Sequence, residues 1–170
     1  MVLAKQIIES MEQWAPPHYA ESWDNVGLMV GSKQRDVSKI ITTLDITPEV
    51  IEYAIVEQAQ MIISHHQFIF KGLKSLHLDS PQGKLIEKLI KNDIVVYSAH
   101  TNLDITIGGL NDMLANRLGL TNVRGFVPTG SDMVYKITTF VPTDTADAVR
   151  EAMASAGAGR IGNYESCSFS

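Results

Sequence analysis

Thiol groups are almost absent from this sequence, whose 170 residues include a single cysteine, Cys167. One cysteine cannot close an internal disulfide, and without a second thiol it cannot build the cysteine-rich zinc centre of a zinc finger. The first six residues also lack the basic and then apolar layout of a signal peptide. We therefore expect a cytoplasmic protein, in which Cys167 is a small buried strand residue rather than a nucleophile.

Long apolar runs and basic clusters are missing as well. No apolar run approaches the roughly 20 residues of a membrane-spanning helix, so the sequence does not predict a membrane protein. The formal net charge is −5 and the Lys and Arg residues are scattered, which argues against non-specific nucleic acid binding. Hydrophobic residues make up 45% and charged residues 19%, as in ordinary globular proteins. This length suits one domain, or one domain plus a fragment of another.

Short apolar runs alternate with amphipathic segments over the first hundred residues. Residues 40–44, 61–64 and 94–98 have the composition of strands, and the two segments between them have the apolar spacing of helices. Strand, helix, strand, helix, strand implies parallel pairing with right-handed crossovers, and such apolar strands suit a sheet buried on both faces. The sequence therefore predicts an α/β fold, a layered domain with a mostly parallel sheet covered by helices.

The pattern changes from about residue 123. Gly125, Pro128 and Gly130 indicate a linker, residues 135–141 alternate like a half-exposed strand, and a helical segment and a further strand-like run follow. We therefore divide the chain into a first domain at 1–125 and a second region at 126–170. Because a βαβ unit that stops in mid-strand leaves an unpaired edge, we expect the chain to be the amino-terminal portion of something longer.

Candidate metal ligands follow each of the three predicted strands. Asp45 comes after the first strand, His65 and His66 after the second, and His100 and Asp104 after the third. Because ligands bind at the carboxyl ends of the strands in an open parallel sheet, we expect these side chains to lie near one another. Imidazole and carboxylate without thiolate suit zinc, iron or manganese.

Each candidate also has a plain structural interpretation. Adjacent strand residues point to opposite faces, so His65 and His66 converge only if the strand has already ended. Two neighbouring imidazoles would suit two ions bridged by a carboxylate such as Asp104, but Asp104 could equally cap the next helix. We expect His100 and Asp45 to support ligands by hydrogen bonds, or in the case of Asp45 to form a turn or cap. Spacing alone leaves the metal site and the structural explanations open.

Three groups of motifs occur together in one order. They are SWDNVGL at 22–28, SHH at 64–66 with IFKG at 69–72, and SAHTNLD at 98–104 with GGLND at 108–112. Together they resemble the Nif-three-like family, whose members are also known as YbgI-like proteins or GTP cyclohydrolase I type 2 homologs. The resemblance covers the whole 170 residues. The SWDN segment by itself predicts only a tight turn near the sheet.

The resemblance implies a dinuclear metal centre that uses His65, His66 and Asp104, with two divalent ions of zinc, iron or manganese. It implies a hydrolase whose small-molecule substrate is a nucleotide such as GTP, and a homo-oligomer in the form of a hexameric ring. Family members are about twice as long, with a ferredoxin-like domain inserted from about Val134 and a carboxyl-terminal half that adds a histidine and a glutamate to the metals. Gln67 stands where the family usually has proline.

A non-catalytic role is the alternative to the hydrolase. In that case the metals would hold a ring-forming scaffold or a regulatory protein. No phosphate-binding glycine loop is visible in the sequence, so nucleotide specificity rests on the resemblance, and no catalytic residue is identified. Metal-dependent turnover would favour the hydrolase, whereas metal-dependent assembly without turnover would favour the scaffold.

Overall fold

A four-stranded sheet organises the first of the two units into which the chain divides, Met1–Gly130 and Ser131–Ser170. The structure is a computed structural model that describes residues 1–125, 134–161 and 164–169. The elements of the first unit are, in chain order, β1 (Val2–Leu3), α1 (Ala4–Trp14), a 3₁₀ turn (Pro17–Tyr19), β2 (Gly27–Val30), β3 (Asp36–Val37), β4 (Ile40–Thr43), α2 (Pro48–Val56), β5 (Met61–Ser64), α3 (Pro81–Lys91), β6 (Val95–Ser98), α4 (Thr101–Ile105) and α5 (Leu110–Arg117).

The sheet is mostly parallel, as the sequence predicts. Its strand order is β2-β6-β5-β4, and β4, β5 and β6 run parallel, with Ile40 beside Met61 and Met61 beside Val95. Strand β2 pairs antiparallel with β6, Gly27 opposite Ser98. The short strands β1 and β3 form a separate antiparallel pair. The carboxyl ends of the three parallel strands therefore lie at the same edge as the amino end of β2.

The two crossover helices begin as their sequences predict. Thr47 accepts a hydrogen bond from the Val50 amide in α2, and Ser80 accepts one from the Gly83 amide in α3, each with proline at the first helical position. Helix α2 ends at Val56, several residues before β5 begins. Gln58 has a φ of 55°, so the backbone has already left the helical region there.

Two buried clusters cover the two faces of the sheet, as the all-apolar strands indicate. One contains Ile62 and Val96 with residues of α2 and α3, and the other contains Met61 and Val95 with residues of α1. Neighbouring strand residues alternate between the clusters, as a pleated strand requires. Each fully buried aliphatic side chain contributes roughly 1.5–3 kcal/mol, so both faces hold the ends of β5 and β6 in place.

The segment after β6 is fixed by bonds to the end of α1. The buried Asn102 donates to the carbonyl oxygen of Ala15, and Thr106 donates to that of Trp14, both at 2.7 Å. Residues 101–105 form the short helix α4, which the sequence left undecided. These bonds hold the chain that carries His100 and Asp104.

The second unit contains α6 (Ala146–Ser155), which a 3₁₀ turn at Thr143–Thr145 precedes, and an isolated bridge between Ile161 and Tyr164. The strands predicted at 135–141 and 165–170 are wrong for the described residues of those ranges, and Cys167 is exposed rather than buried. A strand needs a neighbour for its N–H and C=O groups, and residues 134–142 pair with no described strand.

The ferredoxin-like βαβ unit and the assignment of 1–125 and 126–170 to separate domains stay predictions. The linker positions Pro128 and Gly130 lie outside the described residues. Among the helices of the described ranges, none combines the length and hydropathy that a membrane span requires.

Candidate metal centre

Three imidazole rings meet at the carboxyl edge of the sheet. His65 and His66 follow β5 directly, His100 follows β6 after one residue, and one ligand atom from each lies within 4.8 Å of the others. The ring centroids are 5.0 Å apart for His65 and His100, 5.3 Å for His65 and His66, and 5.7 Å for His66 and His100. The paired histidines converge because β5 has ended at Ser64.

Backbone bonds to neighbouring strands hold these histidines. The His65 amide donates to the carbonyl of Thr43 at 3.1 Å, and the His66 amide donates to that of Leu44 at 2.9 Å. The Ala99 amide donates to the carbonyl of Ser64 at 3.0 Å, which ties the residue before His100 to the end of β5. The positions of all three rings therefore follow from the parallel pairing.

The Nδ1 atom of His65 lies 3.0 Å from the carbonyl oxygen of Ala99. A carbonyl oxygen can only accept, so Nδ1 carries the proton and Nε2 presents its lone pair. The same Nε2 lies 3.7 Å from a carboxylate oxygen of Asp104. His65 and Asp104 thus come together at the end of α4, as the sequence predicts.

The Nδ1 atom of His66 lies 2.7 Å from the carboxylate oxygen Oδ1 of Asp45. The carboxylate accepts the proton, so Nε2 of His66 is again the unprotonated nitrogen. The Asp45 backbone carbonyl accepts a bond from the Thr43 hydroxyl, which fixes the turn after β4. Asp45 therefore hydrogen-bonds a candidate ligand through its side chain and also forms part of the turn through its backbone, the two roles that its position after the strand predicts.

The Nδ1 atom of His100 lies 3.1 Å from a carboxylate oxygen of Asp24. The side chain of Asp24 has no exposed surface, and it also accepts bonds from the Thr101 amide, the Thr101 hydroxyl and the Gln67 amide group. Burial by itself raises the pKa of Asp24, but the bonds from Thr101 and the nearby His100 outweigh it and lower that pKa. The carboxylate is therefore ionised at neutral pH. Nδ1 of His100 has two polar neighbours, this carboxylate and the side-chain amide nitrogen of Gln67 at 2.9 Å, and the negative charge of the carboxylate favours a proton on Nδ1.

These three histidines fit a divalent metal ion. Each has its Nδ1 within 3.1 Å of an acceptor oxygen, the arrangement that orients metal-binding imidazoles and leaves Nε2 as the donor. Two nitrogen ligands of one zinc ion lie at most about 4.2 Å apart, twice the Zn–N distance. A spacing of up to 4.8 Å therefore suits one ion after a small closing movement, or ligands divided between two ions.

Sequence reasoning missed Asp24 and its contact with Gln67. The sequence places its candidates after strands, whereas Asp24 precedes one, and only the antiparallel course of β2 brings it to the same edge. The signal for Asp24 is its place in the SWDN motif, which by itself predicts only a tight turn. The sequence predicts a supporting role for His100, whereas the structure groups its ring with those of His65 and His66.

The model of the Duf34/NIF3 (NGG1p interacting factor 3) family matches residues 2–169. The chain is 44% identical over 163 residues to the GTP cyclohydrolase 1 type 2 homolog of Halalkalibacterium halodurans and 43% identical over 169 residues to that of Bacillus subtilis. These alignments include 96% and 99% of this chain, but 44% and 45% of the relatives. The chain thus spans less than half the length of these curated relatives.

Solved structures give the same result for the fold. A Bacillus cereus protein related to NIF3 is 41% identical, with a TM-score of 0.74, over 99% of this chain and 47% of that one. Reduced HcgD from Methanocaldococcus jannaschii is 36% identical, with a TM-score of 0.69, over 76% of this chain and 52% of that one. These likenesses confirm the mixed α/β architecture with a mostly parallel sheet.

Proposed function

This chain belongs to the Duf34/NIF3 family, and we propose that it carries the amino-terminal ligands of a dinuclear metal centre in a hydrolase that acts on a nucleotide. One observation carries the proposal. The Nδ1 atoms of His65, His66 and His100 each lie within 3.1 Å of an acceptor oxygen, which favours an unprotonated Nε2, and one ring nitrogen from each histidine lies within 4.8 Å of the others. The nucleotide comes from the names of the relatives, which are GTP cyclohydrolase 1 type 2 homologs.

In this proposal His65, His66 and His100 would hold two divalent ions, zinc, iron or manganese, and Asp104 would supply a further carboxylate ligand. Such ions polarise the attacked group and acidify water so that it can act as a nucleophile near neutral pH. Asp24, Asp45 and the Ala99 carbonyl keep the imidazoles in the orientation and tautomer that bind metal. No side chain is assigned to proton transfer.

The proposal extends to the whole protein as a cytoplasmic homohexameric ring with a small-molecule substrate, and without non-specific binding of nucleic acid. The ring is what the resemblance to the Nif-three-like family implies, and the net charge of −5 argues against nucleic acid binding. The alternative is a scaffold or regulatory protein in which metals stabilise the ring without turnover.

The test measures metal content and GTP hydrolysis on the protein at its full natural length, and metal binding on residues 1–170 alone. We expect two ions per full-length chain and turnover that requires them. Residues 1–170 should bind more weakly, because four side chains cannot fill the shells of two ions that each take about four to six ligands. Full metal occupancy without turnover of any nucleotide would reject the hydrolase and favour the scaffold.

A further inference from the structure

Two large aromatic side chains are exposed beside the three histidines. Trp23 is 56% exposed and Phe70 is 50% exposed, although their ring centroids are only 6.1 Å apart. The centroid of Trp23 also lies 6.2 Å from that of His100, with the rings in an edge-on arrangement at 72°. Large aromatic rings normally bury most of their surface, so this pair next to candidate metal ligands is a surface that a ligand or the remainder of the full-length protein can cover.

The two loops that carry these rings are bonded to each other. The Asn25 side chain donates to the carbonyl oxygen of Ile69 at 2.6 Å, and the Gln67 side chain donates to Asp24. Trp23 directly precedes Asp24, and Phe70 directly follows Ile69, so each ring lies one residue from a bond between the loops. The aromatic pair is therefore fixed relative to His100, and a ligand would not have to order it on binding.

We infer that Trp23 and Phe70 form an aromatic wall that stacks against a planar heteroaromatic ring of the substrate. This inference rests on the proposed function and specifies which part of a nucleotide this side of the site binds. The exposed π faces of Trp and Phe stack on nucleobases, and such stacking tolerates different bases. The aromatic wall would thus bind the base, while the histidine cluster lies beside it for the group that reacts.

The two tryptophans of the sequence, Trp14 and Trp23, make a direct binding test possible. In the full-length protein, Trp14 and any tryptophan beyond residue 170 are replaced by phenylalanine, so that Trp23 is the sole tryptophan and its fluorescence reports on the wall. The full-length protein, saturated with zinc, is titrated with GTP, with guanosine and with inorganic tripolyphosphate. We expect GTP and guanosine to quench Trp23 saturably, and tripolyphosphate to leave its emission unchanged. Quenching by tripolyphosphate alone would overturn the inference, because it would report phosphate at the metals rather than a stacked ring.

Substitutions then measure what the wall contributes. Trp23→Leu and Phe70→Leu should each weaken guanosine binding about tenfold or more in equilibrium dialysis, whereas Trp23→Phe should retain binding within about threefold. The matched control, Trp14→Phe, should bind like the unaltered protein. Zinc content is measured on every variant and should not change. If Trp23→Leu fails to fold, Phe70→Leu and the fluorescence titration still test whether the aromatic wall binds the base.

Unchanged guanosine binding by folded Trp23→Leu or Phe70→Leu would overturn the inference. Hydrolysis of GTP is followed in the same samples, which separates the two proposals. Ring-dependent quenching without hydrolysis would reject the hydrolase and support the aromatic wall. Hydrolysis without ring-dependent binding would support the hydrolase and reject the aromatic wall.

Discussion

The hydrogen bond at Nδ1 of each imidazole in the cluster determines which ring nitrogen is available to bind metal. A neutral histidine has one protonated and one unprotonated ring nitrogen, and the acceptor beside Nδ1 selects which is which. The acceptor is a backbone carbonyl for His65 and a carboxylate for His66 and His100. The side chain of Asp24 has no exposed surface, whereas the side chain of Asp45 is 58% exposed, so Asp24 is held more firmly. We therefore expect metal binding to depend strongly on Asp24.

Asp24→Asn should lower zinc affinity about tenfold or more while preserving the fold. An amide in place of the carboxylate accepts fewer bonds, so it cannot serve Thr101, Gln67 and His100 together. Calorimetric titration measures the affinity, and ¹⁵N shifts of the His100 ring report its tautomer. Asp79→Asn, on the loop before α3, is the matched control and should bind zinc normally. If Asp24→Asn leaves both the zinc affinity and the His100 tautomer unaltered, this carboxylate does not position the ring.

Asp104→Ala should remove at least one metal ion from the full-length protein. Its carboxylate is 3.7 Å from Nε2 of His65, where it can share an ion with that ring. His100→Ala should also reduce metal content if the ring is a ligand, and should reduce only activity if it merely supports other ligands. Elemental analysis of the purified variants decides both points. Unchanged metal content in Asp104→Ala would exclude this residue from the site.

At the scale of secondary-structure elements, β6 leads into His100, and α4 carries Asp104 shortly before the turn to α5. Strand β6 is buried along its whole length, and the Tyr97 hydroxyl is buried without a hydrogen-bond partner among the described residues. The turn between α4 and α5 is close-packed at Gly109, where an added Cβ would lie 2.1 Å from the carbonyl oxygen of Leu103. Each of these features leads to a prediction about stability that can be tested without metal.

Tyr97→Phe should leave the stability at neutral pH unchanged or raise it by about 1 kcal/mol, because it removes an unpaired buried hydroxyl. Burial, with a smaller effect from the charge of Glu12, raises the pKa of Tyr97 from 10.0 to about 12. The stabilisation of the neutral phenol is therefore complete below pH 10 and is lost as the pH rises toward 12. Urea unfolding at pH 7, 10 and 12 should show a larger alkaline loss in the unaltered protein than in Tyr97→Phe. Equal losses in the two proteins would contradict this assignment.

Gly109→Ala should destabilise the protein by about 2–3 kcal/mol, because the new methyl group overlaps a backbone oxygen that cannot move alone. Gly125→Ala is the control, since a Cβ there meets no described atom within 4 Å. Thermal unfolding of both variants provides the comparison. A similar midpoint for Gly109→Ala and Gly125→Ala would mean that the turn is looser than the structure indicates.

At the scale of the whole molecule, the open question is whether the metals serve chemistry or assembly. The chain spans less than half of its curated relatives, so the proposed metal centre and the proposed ring are tested on the full-length protein. We expect chelation to abolish GTP hydrolysis while the oligomer persists, if the metals serve chemistry. Light scattering and an activity assay with and without chelator measure both. Dissociation on chelation, with no turnover under any condition, would instead identify a metal-stabilised scaffold.

Local patterns in the sequence are enough to predict the order of strands and helices from β4 to β6, their parallel pairing, and the positions of His65, His66, His100 and Asp104 after strands. Hydrophobic periodicity and caps are local properties, so they can be read without knowing the tertiary structure. The strand predicted at 135–141 was wrong because a strand also depends on a partner, which periodicity does not supply.

The side chains that support the cluster come from positions far apart in the sequence, so their meeting depends on how the strands pair. Asp24 and His100 are 76 residues apart and meet because β2 pairs antiparallel with β6, Gly27 opposite Ser98. A parallel β2 would place Asp24 at the opposite edge of the sheet. Asp45 and His66, 21 residues apart, meet because β4 and β5 are parallel and end together. Strand direction and pairing are set by the packing of the whole sheet, which no local pattern around residue 24 encodes.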